Sequence, residues 1–440
     1  MEDRLEALQC HFTWDLVSGR SKLLSLGDKL EDIGPEGGYS WLGHIYNLQG
    51  FVQHRLGFTD KARLLFCRAA EAFRQMRNTV SEEGPWLVVN YGNLAWLHHH
   101  LGEGAASRAY LSKADALLDE YPSPCEDELH PEVYAEKAWT LMKFGREQKL
   151  QAADCFRRAT GMQPGRAEWN SSLVLALLSV VPSGGGELGA ELWEKMRLAK
   201  ERDPDNLYLA AVFLEACAKR GERSQDAARK LATRVLRTPP SSYSGIKPLL
   251  RLYRAHLSLD EAIDLAEELL ERHPGERYLK RCAATCYKMK IFLDRDNPLE
   301  RSMIIRAVGL HRDLEGLYPQ SALKIKIDLA NIYGESDRPA EADRIYAGLM
   351  ESGLDPDGTQ MLYNYYAKYV HFIRKDSYAS IEYHMRAAEI PRRSIYRDDS
   401  VRTLERIKDR NRNQMCPKIA AFLGEVKGRA GDPSEARSGD

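Results

Sequence analysis

Residues 50–69 read GFVQHRLGFTDKARLLFCRA, and the spacing of Gly50, Gly57, Ala62, Phe66 and Ala69 in that stretch describes two antiparallel helices in close contact. The small residues let the backbones approach, and Phe66 fills the gap between them. The pattern returns downstream as Gly102, Leu111 and Ala114, then as Ala152, Phe156, Ala159 and Pro164, and again as Ala262, Ala266, Leu269 and Pro274. Pro164, Pro204, Pro240, Pro274, Pro319 and Pro356 close successive units of 34 to 45 residues. A proline just past a helix discourages its continuation.

A two-helix unit with these offsets is the tetratricopeptide repeat. One unit cannot bury its apolar face alone, so the expected fold is all-α, a superhelix (α-solenoid) with a concave or channel-like interior. Such a surface suits binding and offers no strand crevice for a dinucleotide. The 440 residues carry 63 Lys plus Arg against 64 Asp plus Glu. Nucleic-acid binding would therefore need a local basic surface, because the global charge supplies none. The eight cysteines show no CxxC pair. Cys282 and Cys286, one helical turn apart, read as small apolar residues on one face. With no signal peptide and no long apolar run, the chain is expected in the cytoplasm, without a membrane and with reduced thiols.

Two loops break the periodicity, Gly34 to Gly38 and Pro182 to Gly186. They divide the chain into an N-terminal capping segment (1–38), an N-terminal repeat lobe (39–181), a C-terminal repeat lobe (187–428) and a disordered tail (429–440), with Pro182 to Gly186 as a possible hinge.

Four ordered motifs add a family. Cys10-His-Phe-Thr-Trp14 precedes the first repeat, and Asn93-Leu-Ala-Trp96, Glu136-Lys-Ala-Trp-Thr-Leu-Met-Lys-Phe-Gly145 and Asp328-Leu-Ala-Asn-Ile-Tyr333 follow. Together with the repeats they resemble the interferon-induced proteins with tetratricopeptide repeats, the IFIT family, as far as about Asn413. Beyond it only Cys416 to Lys427 remains, as a lone helix. The resemblance implies an innate antiviral effector without enzymatic activity or cofactor. It would capture single-stranded RNA bearing a 5′-triphosphate or an incompletely methylated cap in a positive channel, and it would pair with itself or other family members. A triphosphate in a channel needs convergent Lys and Arg donors, and the first bases can stack without sequence preference.

By that resemblance Lys143, in the third motif, reaches the 5′-phosphates. Lys247, Arg251 and Arg254 share one face of a helix by their spacing. Arg254 follows Tyr253 as the channel-lining arginine does in relatives, and Lys247 stands where they tend to carry arginine. Arg281 and Cys282 fall near the first nucleotides, and Tyr278 offers either an aromatic face or core packing. Arg402, Arg406 and Arg410 form a ladder on one helical face, either flanking the channel or as a solvated surface. The chain also departs from the family. Ser25 and Lys29 stand where relatives carry a threonine and a glutamine, Val181 where they carry an arginine, and Ala322 and Lys324 where some carry stacking aromatics. Losing an arginine removes a bidentate phosphate contact, and Lys29 restores one charge as a point contact.

His98, His99 and His100 are consecutive on a helix and do not converge on a metal. No phosphate loop and no nucleophile elbow occur. Tyr363, Tyr366 and Tyr369 share a helix face and read first as packing. A second reading remains open, a repeat scaffold that binds proteins in antiviral signalling with little RNA binding. Convergence or dispersal of the basic residues discriminates the two.

Overall fold

The computed structural model describes residues 1–16, 19–34, 39–77, 83–181, 188–294 and 300–430. Among them every regular element is helical, α-helices with three single-turn 3-10 segments. In the first hairpin, Leu42–Arg55 and Thr59–Arg77 approach so closely that a Cβ on Gly50 would stand 2.6 Å from the Phe66 ring. Ala62, Phe66 and Ala69 are fully buried, as their spacing predicts.

Gly57 (φ +91°) turns the chain between those helices. Phe58 N–H donates to the Gln53 carbonyl and Gly57 N–H to that of His54, satisfying helix-end carbonyls through the left-handed residue. The same pair of bonds recurs around Gly102, from Glu103 to His98 and from Gly102 to His99. The prolines act as punctuation. Pro164, Pro204, Pro274 and Pro319 each stand two residues past the helices ending at Met162, Arg202, Arg272 and Leu317. The residue before each leaves the helical region, as at Asp203 (φ −130°, ψ 65°). Pro356 instead opens Pro356–Phe372 in its first turn, where its missing N–H has no partner to lose.

The chain forms two compact units, Met1–Cys282 and Ala283–Asp440, which part inside the helix Arg277–Leu293. The division expected at Pro182 to Gly186 lies outside the described residues. On either side of it Val174, Met196, Ala199 and Leu209 share one apolar cluster, so the flanking helices belong to one unit.

The leading segment of the first unit is more than an end cap. Cys10, His11 and Trp14 lie in its main core, where His11 makes three polar contacts with two residues. His11 N–H donates to Asn93 Oδ1 (3.0 Å), and its ring meets Asn93 Nδ2 (3.1 Å) and Thr140 Oγ1 (3.1 Å). Residues further along tie the segment to the far repeats: Ser241 Oγ donates to the Ile33 carbonyl (2.6 Å) and Ser242 N–H to that of Asp32 (2.9 Å). The Gly34 to Gly38 loop lies outside the described residues from position 35 on.

In the second unit Tyr346, Tyr366, Tyr369 and Tyr383 pack ring against ring, and Tyr369 is buried. Cys416–Ala430 is not a lone helix. Ile419 and Leu423 join Leu404 and Ile381 in one cluster, which makes it the second helix of a pair with Ile395–Arg410. Of the expected tail, 431–440 lie outside the described residues. No described helix is long and apolar enough to cross a membrane.

Candidate functional site

The first unit encloses a cavity of about 1440 Å³. One wall is the leading helix Arg20–Glu31, with Leu26, Lys29 and Leu30. Trp41, Trp139, Phe156, Leu175 and Leu178 form an apolar side, and Tyr208, Tyr243, Lys247, Arg251, Tyr278 and Arg281 face the same space. Its lining carries eight Lys and Arg (29, 143, 149, 234, 237, 247, 251 and 281) against three acidic residues, Glu168, Asp203 and Asp205. The near-neutral chain therefore concentrates positive charge here.

Lys143 follows Pro131–Leu141, its N–H closing the last turn onto the Thr140 carbonyl. Its Nζ donates to Tyr243 Oη (2.6 Å), to which Trp139 Nε1 also donates (3.1 Å). The ammonium lies 4.2 Å from the Trp139 ring centroid and 5.1 Å from that of Tyr243, held by cation–π attraction. It opens onto the cavity yet is surrounded by protein, and that burial, with the nearby charge of Lys149, pushes its pKa down to about 7. An ammonium has three donors, and the phenol takes one.

Among the described residues, Lys29, Lys143, Lys149, Arg237 and Lys247 have no carboxylate within 4.0 Å. Burial, followed by the charges of Lys247, Arg281 and Lys149, lowers the pKa of Lys29. Burial again, then Arg281, lowers that of Lys247; Cys282 opposes this, and Arg251 and Arg254 lower it by less. Cations that depress one another form a site whose free energy improves when an anion enters.

The arginines differ. Arg251 Nε and Nη2 both donate to Glu215 Oε2 (2.8 and 2.5 Å), and Arg281 is ion-paired to Asp32. Gly245 (φ +82°) sets the start of Ile246–His256 and so the placement of Lys247. A Cβ there would stand 2.6 Å from the Leu207 carbonyl oxygen, so the left-handed turn and the close approach both require glycine.

Of the residues singled out in the sequence, Lys29, Lys143, Lys247, Tyr278 and Arg281 line this cavity. Tyr278 is 2% exposed, with its hydroxyl buried in the wall beside Cys282, so packing dominates its environment. Arg254 is not among the lining residues; seven residues beyond Lys247, it lies about 10 Å further along the helix. Arg402, Arg406 and Arg410 belong to the second unit, exposed along Ile395–Arg410. Arg402 and Arg406 donate to the carbonyls of Asp398 and Arg402 on their own helix. Ser25 and Val181 do not line the cavity. Lys324, in the second unit, is ion-paired to Asp328 and lies 4.5 Å from the Tyr365 ring centroid.

Lys149, Arg237, Tyr208 and Tyr243 were not legible as site residues. Lys149 lies on the helix after the third motif, and Tyr243 in the Pro239 to Ser244 loop, where no periodicity marks a facing side chain.

No family model matches the chain. The human interferon-induced protein with tetratricopeptide repeats 2 is 25% identical over 421 residues, covering 93% of this chain and 86% of that protein. The antiviral innate immune response effector IFIT1 of Macaca fascicularis is 23% identical over 454 residues, covering 99% and 94%. Among solved structures, a monomeric mutant of IFIT1 with Gppp-AAAA aligns with TM-score 0.67 at 22% identity, covering 99% of this chain and 97% of that one. A human IFIT1 dimer with PPP-AAAA aligns with TM-score 0.64 at 23% identity, covering 99% and 96%. The similarity to the interferon-induced proteins with tetratricopeptide repeats runs nearly end to end in sequence and fold alike.

Proposed function

We propose that this protein is an innate antiviral effector of the cytoplasm that holds single-stranded RNA by its 5′ end in the cavity of the first unit. It acts by occupancy, with no bond made or broken. The observation that carries the reading is the convergence of Lys29, Lys143, Lys149 and Lys247, without carboxylate partners among the described residues, on one cavity with an aromatic side. Four lysines without carboxylate partners match a chain of phosphates, and Tyr208 and Tyr243 offer π surfaces that accept any base. IFIT1 has been solved with both PPP-AAAA and Gppp-AAAA, ligands of this chemistry. In this reading Lys143 and Lys247 meet the phosphates, with Lys29 and Lys149 beside them. Arg281 and Tyr278 lie next to the leading nucleotides, with Arg281 also within reach of the phosphates beside Lys247 and Lys29; Arg254 lies farther along the path, and Arg402, Arg406 and Arg410 serve RNA downstream. Convergence of the basic residues weighs against the protein-scaffold alternative.

The test is binding of a short single strand bearing a 5′-triphosphate against the same strand with a 5′-hydroxyl, across a salt series, for the native chain and Lys143→Glu. The triphosphate should bind more than about tenfold tighter, with roughly 0.7 unit of salt dependence per extra phosphate contact. The substitution should abolish that preference. Equal, weak binding of both strands would refute the reading and leave the scaffold as the better one.

A further inference from the structure

Five charged groups stand where the leading helix meets Arg277–Leu293. Asp32, just past the end of Arg20–Glu31, has a side chain with no exposed surface. One of its oxygens lies 3.2 Å from Arg277 Nε, and the other is ion-paired to Arg281 Nη2. Arg277 is shared further, with Asp28 (3.2 Å) and Glu31 (2.6 Å). Arg281 alone of these two arginines lines the cavity.

We infer that Asp32 is an internal counter-ion that sets the selectivity of the cavity: it occupies Arg281 in the free protein and yields it only to a polyphosphate. The inference rests on the cavity being a 5′-phosphate site. Three features support it. First, the pair can exchange without stranding a buried charge, because Asp32 keeps Arg277 when Arg281 turns to a ligand, whereas a buried carboxylate left alone would be strongly unfavourable. Second, a guanidinium has five donors in a fork, so one edge can stay on Asp32 while the other meets a phosphate oxygen. Third, Arg281 acts on Lys247 and on Lys29 more strongly than most other charges do, which puts the contested guanidinium beside the two unpaired lysines.

A single phosphate competes with Asp32 for Arg281 at near parity and gains little. A triphosphate reaches Arg281, Lys247 and Lys29 together, and the lysines supply the surplus that displaces Asp32. Removing the charge of Asp32 frees Arg281 for any anion, so weak ligands gain more than strong ones and discrimination falls.

The experiment measures affinity for one oligonucleotide with a 5′-triphosphate or a 5′-monophosphate, at fixed salt, in four proteins: native, Asp32→Asn, Arg281→Gln and the double variant. Asp32→Asn should tighten the monophosphate about tenfold and the triphosphate about threefold, so their ratio falls about threefold. Arg281→Gln should weaken the triphosphate about tenfold and leave the monophosphate nearly unchanged. In the Arg281→Gln background Asp32→Asn should no longer move the ratio, a result that a merely structural role would not produce. Glu31→Gln, which touches only Arg277 in this network, should keep the native ratio. An unchanged or increased ratio in Asp32→Asn, or equal losses for both ligands in Arg281→Gln, overturns the inference. If Asp32→Asn does not fold, Arg281→Gln decides alone. A native protein that does not distinguish a 5′-triphosphate from a 5′-hydroxyl refutes the cavity reading itself, whereas native discrimination with an unmoved ratio refutes only the role of Asp32.

Discussion

Capture of a triphosphate should take up a proton at Lys143, and affinity should therefore depend on pH in a calculable way. The burial that pushes this lysine down to about 7 leaves it about half charged in the free protein at pH 7. A polyphosphate favours the charged form and raises the pKa toward its ordinary value, so the bound state holds more protons than the free state. The sign follows: affinity falls as pH rises above 7, and it is insensitive below, where both states are charged. With the bound pKa well above 9, the charged fraction of the free protein drops about fivefold from pH 7 to 8 and about fiftyfold from 7 to 9. Kd should rise by the same factors. The assay is fluorescence anisotropy of a labelled 5′-triphosphate strand from pH 7 to 9 at constant ionic strength, a range above the last ionisation of the phosphate, at about 6. Calorimetry in buffers of different ionisation enthalpy counts the proton directly. Lys143→Arg keeps its charge throughout. Its binding should be weaker, because a larger head has to fit between Trp139 and Tyr243, and it should lose most of the pH slope. A native Kd that stays flat from pH 7 to 9, with buffer-independent enthalpy, would refute the account of a depressed Lys143 in the site.

Two further predictions concern the scaffold. Gly245→Ala meets both the left-handed φ and the Leu207 carbonyl, so urea unfolding should show a loss of about 2 kcal/mol or more, with the RNA affinity reduced through displacement of Lys247. Glu136 is 1% exposed and accepts from Asn47 Nδ2 (2.8 Å), and its burial pushes its pKa up to about 8. The folded state then holds a proton that the unfolded state releases, so the residue lowers stability as pH rises from about 4.5 to 8. Glu136→Gln keeps the hydrogen bond without the charge. Thermal melts across that window should show it about 1–3 kcal/mol more stable than native at pH 8 and little different at pH 4.5.

Much of the fold was legible because its contacts are local. Gly50 against Phe66, Gly57 in its turn and the prolines two residues past their helices all depend on separations shorter than one repeat, which periodicity reports directly. The final pair was missed for the complementary reason. Cys416–Ala430 has too weak a small-and-bulky pattern to announce a partner, and its burial against Leu404 and Ile381 comes from packing across helices.

The site divides in the same way. Lys143 was singled out by its motif and Lys247 by its place on a helical face, both properties of a few neighbouring residues, and both line the cavity. The separation of Arg281 from Arg254, the pairing of Arg281 with Asp32 249 positions earlier, and the arrival of Tyr243 on Lys143 from 100 positions away have no local trace. The sequence by itself determined the helices, their hairpins and the kinds of charge available. Tertiary structure alone decided which lysines share a cavity and which arginines are already answered by a carboxylate, because electrostatic free energy depends on distance and burial, and long-range folding sets both.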